Sequence, residues 1–168
     1  HLGHRQLLRR LRELCAARGW KPSVLTFDPH PTRVVAPDRA PMLMTTPDRR
    51  AELMEQEGIE QVLILPFTPE LAKLSPEEFV QDLLVARLGV RAVLVGDNFR
   101  FGHQHAGNTT MLAALGGKLG FETIIVSAVR NRGRMVSSSG IRELIRAGNM
   151  SLAARFLGFP EVGLQAVL

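Results

Sequence analysis

Ala92-Val93-Leu94-Val95-Gly96-Asp97-Asn98-Phe99-Arg100-Phe101-Gly102 begins with four apolar residues in succession and turns polar after Gly96. An apolar run of strand length with no polar alternation suits a strand covered on both faces, as parallel sheets are. The polar turn at its carboxyl end then falls where open α/β sheets bind their ligands.

The pattern of strand, turn and helix repeats on both sides of this run. Downstream, Gly107-Asn108 precedes a helix with Met111, Leu112, Leu115 and Leu119 on one side, ended by Gly120, and Thr123 to Val129 reads as another strand. Upstream, Ser75-Pro76-Glu77-Glu78 is a capping box opening a helix that carries Phe79, Leu83, Leu84 and Leu88. Val62 to Leu65 is a strand ending at Pro66, and Thr46-Pro47-Asp48 opens a helix to Glu57, closed by Gly58. Residues 29–46 read as a long loop of the kind that serves as a lid. Ser23 to Phe27 is a strand that stops at Asp28-Pro29-His30-Pro31, because two prolines cannot continue it. Before it, Leu7, Leu11, Leu14 and Cys15 mark an amphipathic helix from Leu2 to Arg18, stopped by Gly19. At the far end, a turn over Arg130 to Arg134 leads to a serine run and a short helix to Ala147, then a last helix capped by Ser151. The alternation predicts an α/β fold: a doubly wound parallel sheet with right-handed crossovers.

The 168 residues, 45% hydrophobic, suffice for one domain with a sizeable core. The net charge of +5, from 21 Lys and Arg against 16 Asp and Glu, favours anionic partners. Phe is the only abundant aromatic and the arginines are spread out, which fits a nucleotide better than single-stranded nucleic acid, so no nucleic-acid partner is expected. One cysteine, Cys15, cannot make an internal disulfide, and no apolar run spans a bilayer; the expectation is a cytoplasmic protein with no membrane partner.

The chemistry gathers at two places. In His1-Leu2-Gly3-His4, two imidazoles flank a glycine at a helix start, and nothing on Gly3 keeps a phosphate from the backbone. In Val136-Ser137-Ser138-Ser139-Gly140-Ile141-Arg142, hydroxyls, backbone N–H groups and a forked cation open a second helix. Together they point to a nucleoside triphosphate. His30, His103 and His105 lack the cysteines and fixed spacing of a transition-metal site, and no metal held by protein ligands is expected.

The H-x-G-H and S-S-S-x-I-R pair resembles the signature of the nucleotidyltransferase superfamily. Phe27-Asp28-Pro29-His30-Pro31, Leu74 to Phe79, Val95 to Gly102 and Val136 to Arg142 occur in the order and spacing of the bacterial bifunctional riboflavin kinase/FAD synthetases. The chain looks like their N-terminal FMN adenylyltransferase module over residues 1–158, with 159–168 a tail leading toward a riboflavin kinase domain that is absent. The resemblance implies a Rossmann-like sheet with helices on both faces. In that family a strand and a Gly-x-Phe-Asp-Gly-Val turn precede H-x-G-H, so the first strand is expected to be missing from the chain.

The resemblance also implies the reaction: ATP and FMN give FAD and pyrophosphate, with Mg²⁺ on the triphosphate. By matching position, the catalytic set is His1 and His4 on the α-phosphate, with Ser138, Ser139 and Arg142 on the β,γ-phosphates. Gly3, Ser137, Asp97 and Asn98 would border ATP. Asp28, Pro29, Pro31, Asn98, Phe99, Arg100 and Phe101 would border FMN, and Asp28 would reach the metal through water. Any oligomer would form through the kinase domain. The alternatives are another adenylyltransferase, for pantetheine phosphate or nicotinate mononucleotide, a cytidylyltransferase, or a non-catalytic nucleotide- or RNA-binding module. The Asp97 to Gly102 and Asp28 to Pro31 segments speak against the other transferases, and the lack of a K-M-S-K-S-like loop speaks against a fragment of a class I aminoacyl-tRNA synthetase.

Overall fold

The computed structural model describes residues 1–131 and 133–158; the expected tail, 159–168, lies outside them. α1 (Leu2–Arg18) runs over the span the leucines mark, from a His1 cap to Gly19 at φ 65°. β1 (Ser23–Asp28) follows, then α2 (Pro31–Val35), a 3-10 turn Pro37–Arg39, α3 (Pro47–Gln56) and β2 (Gln61–Pro66). Next come α4 (Pro69–Lys73) and α5 (Pro76–Glu78), which continues into a wider π-helix, Phe79–Arg87. β3 (Ala92–Gly96), β4 (Arg100–Phe101), β5 (Gly107–Asn108), α6 (Thr109–Leu119) and β6 (Glu122–Val126) complete the middle of the chain. A small hairpin of β7 (Arg130–Asn131) and β8 (Arg134–Met135) leads to α7 (Ser138–Arg146) and α8 (Met150–Leu157).

The fold is α/β with parallel strand pairs. β1 pairs with β2, Ser23 opposite Gln61 through Asp28 opposite Pro66. β3 pairs with β6, Ala92 opposite Glu122 through Gly96 opposite Val126. Each forms a separate two-stranded sheet, as do the antiparallel pairs β4 with β5 and β7 with β8. Both parallel pairs press on one core, in which Phe79, Val80, Leu83, Leu84, Val95, Phe101, Leu112 and Phe121 are buried and Leu25, Phe27, Leu65 and Val93 pack against them. A second cluster of Val136, Ile141 and Phe156, flanked by Leu2 and Met44, ties α1 to α7 and α8. That second cluster sets the relative position of the two helix starts that carry the polar motifs.

Several local expectations need correction. The 29–46 stretch is not one long loop: Pro31 and Pro37 each begin a short helical turn, since a fixed φ and a missing N–H suit the first helical position. The last helix is capped by Asn149, whose side chain accepts from the Leu152 N–H at 3.2 Å, and Ser151 lies inside it. The strand expected to reach Val129 stops at Val126, because the Ala128 N–H turns to the Asp97 carboxylate at 3.1 Å.

Candidate functional site

Two helix starts meet at the site. His1 caps α1, its Nδ1 accepting from the His4 N–H at 3.2 Å, and Ser137 caps α7, its Oγ accepting from the Gly140 N–H at 3.1 Å. His1 Nε2 lies 3.1 Å from Ser138 Oγ across the gap between the helices. Since Nδ1 accepts, the ring proton of a neutral His1 sits on Nε2 and is donated to Ser138. The Ser138 hydroxyl then keeps its own proton to donate to a ligand oxygen. The rings of His1 and His4 stack with centroids 3.8 Å apart. Gly3 permits this approach: a Cβ there would sit 3.2 Å from both the His1 ring and the Val136 carbonyl. The positive ends of two helix dipoles and their free N–H groups therefore face the same space, a setting for phosphate.

The surrounding charges are positive. Loss of water around the His4 ring, reinforced by neighbouring positive charge that includes Arg50, pushes its pKa from 6.5 down to about 4. The ring keeps open surface, so this shift fixes the charge state and carries little weight for stability. His4 is neutral at pH 7 and able to donate to a phosphate without a change of protonation. The His30 imidazole is lowered too, first by burial and then by Arg142, Arg50 and Arg33, while its Nδ1 accepts from the Thr32 N–H at 3.2 Å. Arg142 donates from Nε to the Met42 carbonyl at 2.8 Å.

Arg50 is the residue that sequence reasoning missed. From the first turns of α3 its Nη1 donates to Thr26 Oγ1 at 3.0 Å and to the Phe27 carbonyl at 3.4 Å, at the carboxyl end of β1. Beside Arg49, which pairs with Glu52 on the surface, it passes for part of a solvated helix face. The available signal was Thr26, a hydroxyl interrupting the apolar run of β1.

The remaining expected residues divide by exposure. Asp28 ends β1 and is exposed, as is Pro29, and Pro31 starts α2. Asn98 and Arg100 are exposed, whereas Asp97 is occupied in holding the Ala128 N–H. Phe99 is half-buried and stacks on Phe101 at 5.6 Å; Phe101 itself is only 5% exposed and packs on Phe79 at 5.8 Å, with little surface left for a ligand. Gly102 locks this turn against α5, since a Cβ there would stand 2.7 Å from the Pro76 nitrogen. The His103 N–H donates to the Leu74 carbonyl at 2.7 Å and its Nδ1 to the Ala72 carbonyl at 3.1 Å. The structure thus joins Leu74 to Phe79 and Asp97 to Gly102 into one unit, and brings His1, Gly3, His4, Ser137 and Ser138 into another. Ser139 is exposed on the same helix as Arg142. Among the described residues no cluster of three or more His, Cys, Asp or Glu could hold a metal ion, and no helix is long and apolar enough to cross a membrane.

Comparison with known proteins places these features. The family model for FAD synthetase matches residues 1–140. The bifunctional riboflavin kinase/FMN adenylyltransferase of Pseudomonas fluorescens is 37% identical over 160 residues, and that of Escherichia coli strain K12 is 33% identical over 160. In both cases 95% of this chain and 51% of the relative are covered. The chain spans about half the length of the relatives it matches. A crystal structure described as a macrolide-efflux protein from Streptococcus pneumoniae superposes with a TM-score of 0.79 at 25% identity, over 95% of this chain and 52% of that one. With a family match that covers both the histidine motif and the serine run, the chain belongs to the FAD synthetase family.

Proposed function

We propose that the chain transfers AMP from ATP to FMN, giving FAD and pyrophosphate. The observation that carries the reading is the His1 to Ser138 bond, which joins two phosphate-suited helix starts from opposite ends of the chain. An FMN phosphate oxygen attacks the α-phosphorus of ATP in line, a new P–O bond forms, and the bond to the bridging oxygen of the β-phosphate breaks as pyrophosphate leaves. No protein nucleophile is needed; positioning and charge stabilisation supply the catalysis. His4, neutral, and the His1-oriented Ser138 hydroxyl donate to oxygens that gain charge at the α-phosphorus and the leaving group. Ser139 and Arg142 hold the β,γ-phosphates, Gly3 leaves the backbone at the start of α1 open to an oxygen, and Ser137 fixes the start of α7 beside them through its bond to the Gly140 N–H.

FMN lies on the other side, against Asp28 and Pro29 at the end of β1, Pro31 at the start of α2, and Asn98, Phe99 and Arg100 from the turn after β3. Phe101 supports that wall from within the core. Mg²⁺ enters as part of the substrate, Mg·ATP. The exposed Asp28 carboxylate fits a water-mediated contact, because Mg²⁺ takes one or two carboxylates and lets phosphate oxygens and water fill the rest of its shell. When bound, the ion neutralises the triphosphate.

We also read the two parallel pairs as parts of one doubly wound, Rossmann-like sheet in the order β2-β1, then a further parallel strand, then β3-β6. Their packing on one core supports this, as does the unpaired edge that each pair presents. A cytoplasmic location and an oligomer built through a kinase domain accompany this reading.

The test is chromatographic separation of FAD formed from FMN and Mg·ATP, using this chain and a version extended by an upstream strand and Gly-x-Phe-Asp-Gly-Val turn. FAD from the extended version supports the reading. Absence of FAD from both, with no FMN fluorescence quenching, sinks it.

A further inference from the structure

α7 carries more cation than the His1 to Ser138 group uses. A cavity of about 390 Å³ lies between the segment after α2 and one face of α7, lined by Asp38, Arg39, Ser139, Arg142, Glu143 and Arg146 among others. That volume is in the range of ligand pockets. Ser139, Arg142 and Arg146 follow one another at the three- and four-residue spacing that puts side chains on one helix face. Arg39 approaches from the facing wall, at the end of the 3-10 turn.

None of the three arginines makes an ion pair among the described residues, although two carboxylates line the same cavity. Arg142 spends one donor, Nε, on the Met42 carbonyl, and the side chains of Arg39 and Arg146 make no hydrogen bond among those residues. Like charges one helical turn apart repel, and the Arg142 guanidinium is easier to deprotonate than usual, first through partial burial and then through Arg146. An anion between them reverses the sign of that interaction. Asp38 and Glu143 select its class: a singly charged anion gains little with carboxylates alongside, whereas linked phosphates carry charge enough to engage several guanidinium forks at once.

We propose that this cavity takes the terminal phosphates of the nucleoside triphosphate and holds pyrophosphate after transfer, with Arg39 and Arg146 as specificity-determining cations beside Ser139 and Arg142. The proposal rests on the adenylyl-transfer reading and adds two residues to it, one from each wall.

The experiment is calorimetric titration of the full chain with inorganic pyrophosphate, ATP and AMP, at about 0.15 M salt so that distant charges are screened. The Arg39→Gln/Arg146→Gln double variant is expected to bind pyrophosphate and ATP about ten-fold or more weakly, equivalent to about 1.4 kcal/mol or more, and AMP within about two-fold. The Arg39→Lys/Arg146→Lys variant should recover part of the loss, and Arg9→Gln/Arg10→Gln on α1 should bind all three as the parent does. Circular dichroism confirms that each variant is folded. Pyrophosphate affinity unchanged in the glutamine variant, equally reduced in the α1 control, or absent from the parent chain overturns the proposal. FAD synthesis by the unsubstituted protein is scored separately: FAD formed with pyrophosphate binding indifferent to Arg39 and Arg146 removes the cavity and leaves the reaction standing. No FAD, with pyrophosphate binding still dependent on them, does the opposite.

Discussion

His4 sits in an imidazole environment that resists protonation, and its consequences are measurable one residue at a time. In the free protein its NMR titration should fall well below the ordinary 6.5, toward about 4. Arg50→Gln should raise that midpoint by removing one of the charges that lower it, and bound ATP should raise it further. An unchanged midpoint in both cases would falsify the electrostatic assignment. The sign for stability follows: the unfolded histidine takes up a proton near 6.5 that the folded ring refuses until about 4, so stability declines as pH falls through that window and is insensitive to this group above it. His4→Ala should lower FAD formation about 100-fold, the scale of one lost transition-state donor, while FMN affinity stays within about two-fold. Equal loss of both would remove His4 from the transferring phosphate. At this scale the sequence was informative for His1, Gly3 and Ser138, singled out by type and spacing and brought together in the structure, with His1 Nε2 3.1 Å from Ser138 Oγ. It was silent on Arg50, because a guanidinium's role depends on the strand end it reaches, 24 positions away at Thr26.

Elements whose ends are fixed by local chemistry were legible. The Ser75 capping box is present in both directions, Glu78 accepting from the Ser75 N–H at 2.7 Å and Ser75 from the Glu78 N–H at 3.1 Å. Gly19, at φ 65°, closes α1 where the leucine pattern ends. What could not be read is the wider turn of Phe79–Arg87, or the docking of the Asp97 to Gly102 turn on α5, since neither has a signature at short sequence range. That docking predicts a contrast between two glycines. Gly102→Ala meets both a left-handed φ of 73° and the Pro76 backbone at 2.7 Å, and should cost about 3 kcal/mol, or roughly 10 °C in Tm. Gly19→Ala has the positive φ with no atom within 4 Å and should cost only about 1 kcal/mol. Thermal denaturation of the two variants checks the difference, and equal costs would mean that Gly102 is not a contact point.

Across the whole molecule, alternating strand and helix signals specify α/β with parallel pairing, and both parallel pairs are present. How pairs assemble into sheets depends on edges rather than on any strand's own composition, and among the described residues the parallel strands stand as two separate pairs. If the proposed sheet is right, adding an upstream strand should raise Tm as well as FAD yield, because edge N–H and C=O groups gain partners. A rise in yield with no rise in Tm would mean that the added segment does not enter the sheet. Arg142 has a different consequence at this scale. Its guanidinium contributes Nε to the Met42 carbonyl and still has two amino groups to offer, so in the proposed reaction grasping a nucleotide and fastening the segment before α3 would be simultaneous rather than competing acts. Lysine gathers its three donors on one nitrogen and lacks the fork that lets separate atoms face the two partners. Arg142→Lys should therefore retain the charge yet leave ATP unable to shield residues 40–46 from a protease, a loss of communication that equilibrium affinity alone would not reveal.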